Sequence, residues 1–381
     1  MVNNNKVQIS VLSNIRKVMK IMLVSVSILA ACGLIAFGVL LARSPGKMRP
    51  LLDENGNTIP GSISEKIHVN INGLEQGMII KSKDPSNPVL LFLHGGPGMP
   101  EYFLTEQYPT GLENDFTVVW WDQRGAGLSF TDDMSSVTIN QIIDDTLAVT
   151  NYLRERFGKE KIYLMGHSGG SFFGIQAAAR APEYYYAYIG MGQIAFQLKS
   201  ETMAYPYMLE QFKQIGNTKM VKKLEAAAPT LTGPLPAEYA AIRDDAMHSL
   251  GIGTTRDMKS VITGLFFPSL KFREYTLSEK INLWRGKINS SRHLRNDVFA
   301  VDLTQQITQL DLPVYFFHGK YDLTCSYSLA KTFLEGIEAP EKGFYTFEES
   351  AHSPVFEEPE KAMQILLRDV VKGEFSLADM E

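Results

Sequence analysis

The segment Gly166-His167-Ser168-Gly169-Gly170 constrains this chain more than any other feature. A short apolar run, Ile162–Met165, precedes it with strand character. A run of small residues from Gly169 to Ala181 follows it with helical character. A serine at such a junction, with small neighbours on both sides, predicts a sharp strand-to-helix turn and a strained serine backbone. The turn lifts the hydroxyl clear of the sheet. It also aims the N–H of Gly169 at charge developing on a bound carbonyl oxygen. The competing reading is a tight turn with a passive serine, so the residues around it decide.

The rest of the chain supplies the sheet that this turn needs. Lys66–Asn72 alternates apolar and polar residues, and Gly77–Ser82 follows after a turn at Asn72-Gly73. Val89–Leu93 and Thr117–Trp121 are continuous apolar runs, as in strands buried on both faces. Ala187–Met191, Val314–Phe317 and Phe344–Phe347 complete eight predicted strands. Helical spacing runs over Thr138–Phe157, and Gly158 ends it. Strands alternating with helices predict an α/β fold, with a mostly parallel eight-stranded sheet that begins antiparallel. The expected core is residues 65–192 and 307–381. Between them, residues 193–306 lose the strand rhythm, are rich in helix formers, and carry Pro206, Pro229, Pro234, Pro236 and Pro268. They read as an inserted helical cap.

A serine hydroxyl needs a neighbouring base near neutral pH, and histidine suits that role. Of seven histidines, His68 falls in an early strand, and His248 and His293 in the cap. His94 and His318 fit loop shaping, and His167 sits on a turn that points its side chain elsewhere. His352, in a loop after the last strand, remains as the base. Its orienting acid should also close a strand, and Asp322 does so in His318-Gly319-Lys320-Tyr321-Asp322. Asp311 precedes that strand, at the wrong edge. An alternative role for Asp322 is to cap the helix beginning near Ser326. After the third strand, His94-Gly95-Gly96-Pro97-Gly98 offers the Gly96 N–H as a second donor to an oxyanion, beside that of Gly169. In Trp121–Ser129, Asp122 and Arg124 read as loop braces.

These motifs together resemble the prolyl aminopeptidase (proline iminopeptidase) branch of the α/β-hydrolases. HGGPG, DQRGAGLS, GHSGGS, HGKYD and SAHSP occur in that family's order over residues 66–372. The nucleophile–acid–base order Ser168, Asp322, His352 agrees with it. The resemblance implies an α/β-hydrolase fold and release of an N-terminal residue, often proline, from short peptides, without metal or cofactor. It departs at Gly169, where the family commonly has tryptophan. The family places amine-binding acids in the cap, where Glu201 and Glu210 are candidates; a solvated helix face is the other reading of each. A carboxylesterase acting on small esters would use the same triad with an apolar acyl pocket, and a non-catalytic binding protein would keep only the fold.

Ile21–Ala42 is an uncharged run of 22 residues, long enough to span a bilayer as a helix. Lys6, Arg16, Lys17 and Lys20 precede it, and Arg43, Lys47 and Arg49 follow. The bias places residues 1–20 on the cytoplasmic side and the hydrolase outside, with residues 43–64 as a Pro/Gly-rich linker. A cleaved signal peptide and a lipoprotein signal at Cys32 are the alternatives. A net charge of −5 without basic runs beyond the N-terminus gives no reason to expect nucleic acid as a partner. The two cysteines, Cys32 and Cys325, suggest no disulfide, and no zinc-ligand spacing exists. Nothing in the sequence sets an oligomeric state.

Overall fold

The computed structural model describes residues 2–379. A long helix, α1 (Val2–Ala42), leads into a sheet formed by β1 (Ile63–Ile71), β2 (Leu74–Ser82), β3 (Val89–Leu93), β4 (Thr117–Trp121), β5 (Ile162–His167), β6 (Tyr185–Met191), β7 (Val314–Gly319) and β8 (Lys342–Phe347). Their order is β1-β2-β4-β3-β5-β6-β7-β8. β1 pairs antiparallel with β2, and β2 with β4; every later pair is parallel. The eight strands and the antiparallel start are those the sequence predicts.

Continuous apolar runs are needed because both faces of the sheet are covered. Along β3, Val89, Leu91 and Leu93 face one buried cluster while Leu90 and Phe92 face the other. The first cluster is shared with α2 (Ile139–Phe157) and α3 (Gly169–Arg180). Thr138 caps α2 by accepting from the Gln141 N–H, and Gly158 ends it in the left-handed conformation at φ +59°.

Between β6 and β7 the chain is helical. It forms α4 (Gln197–Gln214), α5 (Thr218–Glu225), α6 (Ala237–Ser249), α7 (Phe267–Lys271), α8 (Leu277–Ala300) and α9 (Leu303–Gln306). Leu198, Ala204, Met208, Phe212, Tyr239 and Met247 form an apolar cluster of its own there. Pro206 does not interrupt the first of these helices; α4 runs through it. The flanking Ala204 and Met208 are buried, so packing holds the helix despite the missing backbone bond.

Residues 43–49 are fastened to this helical region. The buried Lys280 ammonium donates to Arg43 O, Ser44 Oγ and Leu270 O. Gly46 N–H donates to Arg273 O, and Arg49 pairs with Glu274 at 3.0 Å. The C-terminal end of α1 is therefore tied to the segment between α7 and α8.

Candidate active site

Ser168 sits between β5 and α3 with φ +53° and ψ −118°. Among the described residues, only Asn72 shares a positive φ without being glycine. The flanking glycines make the turn possible by close approach rather than by flexibility. A Cβ on Gly166 would lie 2.6 Å from Gly170 O, and one on Gly170 would lie 2.1 Å from Leu93 O. Any side chain at either position would push α3 off the sheet.

The predicted base and acid stand after neighbouring strands. His352 follows β8 and Asp322 follows β7, and both are buried. His352 Nδ1 donates to Asp322 Oδ2 at 2.8 Å. A carboxylate only accepts, so the proton sits on Nδ1 and leaves Nε2 as a free acceptor. That Nε2 is buried with no hydrogen-bond partner among the described residues. Asp322 also receives the Cys325 N–H at 2.9 Å and lies 3.1 Å from His318 Nε2. It does not cap the next helix, α10 (Tyr327–Gly336), whose cap is Ser326. Burial would raise the Asp322 pKa, but His352 and His318 hold it well below the usual carboxylate range.

Burial lowers the His352 pKa, Asp322 pulls it back, and His167 and His318 push it down; the balance lies below the ordinary histidine value. The neutral, proton-accepting form therefore persists into mildly acidic solution. We expect the acidic limb of the kcat/KM–pH profile to fall below about 6.5, the value of an unperturbed histidine. A profile falling at or above neutral pH would contradict this.

His167, set aside on the sequence, is part of the site. Its Nδ1 meets Glu101 Oε2 at 2.8 Å and its Nε2 meets the His352 carbonyl at 2.9 Å. The carbonyl accepts, so Nε2 carries a proton, and an ionised Glu101 favours a second proton on Nδ1. Burial opposes that charge, but Glu101 outweighs it and raises the His167 pKa. Glu101 also receives the Gly95 N–H at 2.9 Å, tying the Gly95–Gly96 loop to the same pair. Room for the His352 ring comes from Gly192, where a Cβ would lie 2.8 Å from it.

Gly96 has φ +121°, and a Cβ on Gly169 would meet its backbone at 3.0–3.2 Å, so the two glycines are in near contact. The Gly169 N–H opens α3, where no intrahelical partner exists. His94 shapes this loop as the sequence suggests. It bonds Gly95 O through Nδ1 and receives the Gln123 N–H at Nε2. Arg124 braces the neighbouring loop through Asp145, and Asp122 does so by accepting from the Leu128 N–H.

Ser168 and His352 open onto one cavity of about 180 Å³, walled on the core side by Gly95, Gly96, Glu101 and His167. Its other wall comes from the helices between β6 and β7. It includes Gln197, Arg243, Asp244, His248, Lys287, Ser291 and Arg295. The sequence-predicted amine binders are not among them. Glu201 is fully buried and committed: both its oxygens bond Arg243 Nε, and Tyr239 and Gln197 complete its shell. Glu210 is exposed and bonds Gln214. Asp244 is the acid that reaches the cavity instead, its side chain 47% accessible and 2.8 Å from Arg243. Cys325 is free and buried beside Asp322, with a pKa raised by burial. No cluster able to hold a metal occurs among the described residues.

A family model described as the alpha/beta hydrolase fold matches residues 88–359. The chain belongs to the α/β-hydrolase family. A probable aminopeptidase of Bacillus subtilis is 33% identical over 303 residues, covering 78% of this α/β-hydrolase and 93% of the relative. A proline iminopeptidase of Saccharolobus solfataricus is 24% identical over 286 residues, covering 74% and 84%. A proline iminopeptidase-related protein from Thermus thermophilus has the same fold, with a TM-score of 0.54 at 21% identity over 81% of this chain and 98% of its own. So has a 2-hydroxy-6-oxo-6-phenylhexa-2,4-dienoate hydrolase from Rhodococcus, with 0.54 at 17% identity over 82% and 99%. Proteins of such different names share this fold, so the fold alone does not fix the substrate.

Proposed function

We propose that this α/β-hydrolase forms an acyl-enzyme on Ser168 and releases N-terminal residues from short peptides. One observation carries the chemistry: a strained serine shares a cavity with the unpaired Nε2 of a histidine whose Nδ1 is held by a buried aspartate. In this reading Ser168 Oγ attacks the scissile carbonyl and its proton passes to His352 Nε2. Asp322 stabilises the resulting imidazolium without taking the proton. The N–H groups of Gly96 and Gly169 receive the oxyanion, with the α3 N-terminus behind them. His352 then protonates the leaving amine. Water, deprotonated by the same nitrogen, cleaves the acyl-enzyme.

The peptide reading draws on the names of the relatives and on Asp244, a carboxylate lining the cavity that would meet a substrate ammonium. The ester reading draws on a different observation. Every carboxylate on the cavity wall already has a basic partner: Glu101 has His167, and Asp244 has Arg243. An assay of proline-aryl amides beside short-chain aryl esters separates them. Amide turnover supports the aminopeptidase; ester turnover alone refutes it.

We also infer that α1 anchors the enzyme in a membrane, with the hydrolase on the extracytoplasmic side. The segment Arg16–Ala42 is long and apolar enough to cross a bilayer, and none of it is buried against the protein. A signal sequence has the same features, and only α1 supports the membrane as a partner. The ties from Arg43 and Ser44 to Lys280 would hold the domain close against that surface.

A further inference from the structure

The cavity wall contributed by α8 carries charge that the proposed reaction does not use. Lys287, Ser291 and Arg295 stand four residues apart on one face of that helix, spanning about 12 Å along its axis at 1.5 Å per residue. All three line the cavity that holds Ser168 and His352. Arg295 Nη2 donates to Ser291 Oγ at 2.8 Å. Among the described residues, neither Lys287 nor Arg295 has a carboxylate within ion-pair distance.

The third basic side chain of the cap wall behaves differently. Arg243 holds both oxygens of Glu201 through Nε and reaches Asp244 through Nη1, so its charge is already met. Of the charged groups that line the cavity, His167 meets Glu101, and the three cap cations Arg243, Lys287 and Arg295 share one carboxylate, Asp244. Lys287 and Arg295 are half-buried. Part of their hydration is lost and no ion pair replaces it; Asp244 acts on Lys287 only from beyond pairing distance. Such an arrangement costs free energy unless a ligand supplies the anion. A structural role covers only part of this. The Lys287 ammonium lies 5.3 Å from the centre of the Trp284 ring, which steadies its stem, but nothing equivalent serves Arg295.

We propose that the Lys287–Ser291–Arg295 face of α8 is an anion subsite that binds a carboxylate of the substrate. An arginine fork and a serine hydroxyl suit two carboxylate oxygens, and a lysine adds a point charge. The carboxylate can belong to the leaving group, as the C-terminus of a short peptide, or to the acyl group, as in a half-ester of a dicarboxylic acid. The inference rests on the hydrolytic reading of this cavity, and it holds whether the bond cleaved is an amide or an ester.

Two matched pairs of substrates test it on the full chain. One pair is a prolyl dipeptide and its C-terminal amide; the other is an aryl hydrogen glutarate and the aryl pentanoate. The expected result is a kcat/KM preference of about 10- to 100-fold for the carboxylate member of at least one pair, the size of a charge-assisted contact. In a Lys287→Met/Arg295→Met protein that preference falls to about twofold or less, and Arg295→Lys alone, which keeps the charge but loses the fork, retains more of it than Arg295→Met alone. Discrimination in the ester pair with an inert peptide pair leaves the subsite standing and refutes the aminopeptidase. Equal rates within both pairs, or a preference unchanged in the double variant, overturn the subsite. If neither pair is turned over, calorimetry of the Ser168→Ala protein with the dipeptide and its amide decides. Tighter binding of the acid that is lost in the double variant supports the proposal; equal binding, or none, overturns it.

Discussion

Replacing Ser168 by alanine is expected to lower kcat by on the order of 10⁶-fold and to abolish labelling by a fluorophosphonate probe. The loss is large because the nucleophile acts together with its base, so removing either leaves only substrate binding and the oxyanion donors. Here the proposed base is already poised. His352 Nε2 is unprotonated, buried and without a partner, and it faces the same cavity as the serine. Alanine keeps the size of the turn and faces the same φ of +53°, so the protein should fold and unfold thermally much as before. Unchanged circular dichroism with lost turnover is the expected combination. Retained activity would mean that another group attacks the substrate.

Asp322→Asn has the second-largest expected effect, a loss of about 10⁴-fold in kcat. Asp322 accepts from two donors, His352 Nδ1–H and the Cys325 N–H, and lies 3.1 Å from His318 Nε2, which bonds the Cys325 carbonyl. An asparagine presents an amide N–H in place of one carboxylate oxygen. The imidazole then favours the tautomer with its proton on Nε2, where it cannot take the Ser168 proton. The imidazolium formed during reaction also loses its buried counter-charge. Because both effects act on the transition state, kcat and kcat/KM should fall together while KM changes little. A loss smaller than about tenfold would show that Asp322 does not orient the base.

Much of this architecture is legible in the sequence, for a physical reason. Strands covered on both faces must be apolar throughout, and Val89–Leu93 and Thr117–Trp121 run from end to end as the sequence marks them. Ser168, Asp322 and His352 could be proposed from the sequence because each follows a strand, β5, β7 or β8, where loops converge on one edge of the sheet. The cap was harder. Glu201 lies on the buried stripe of α4 with Leu198, Ala204 and Met208. A single charge in such a stripe signals a buried ion pair, here with Arg243, rather than a substrate ligand. Glu210 is on the exposed side. Asp244 was missed because α6 has little one-sided apolar pattern to separate inner from outer positions. The His167–Glu101 pair joins two loops distant in sequence, and only the folded chain brings them together. Lys287, Ser291 and Arg295 did carry a signal, the four-residue spacing, yet the direction of that face depends on how α8 lies over the sheet.

The central claim, an acyl-enzyme on Ser168, is tested most directly by trapping it. The protein is mixed with an activated aryl ester, quenched in acid within the first turnover, and digested for peptide mass mapping. The account predicts the acyl mass on the peptide containing Ser168, decaying as product forms and absent from the Ser168→Ala protein. Turnover without a covalent adduct, or an adduct on another residue, would contradict it.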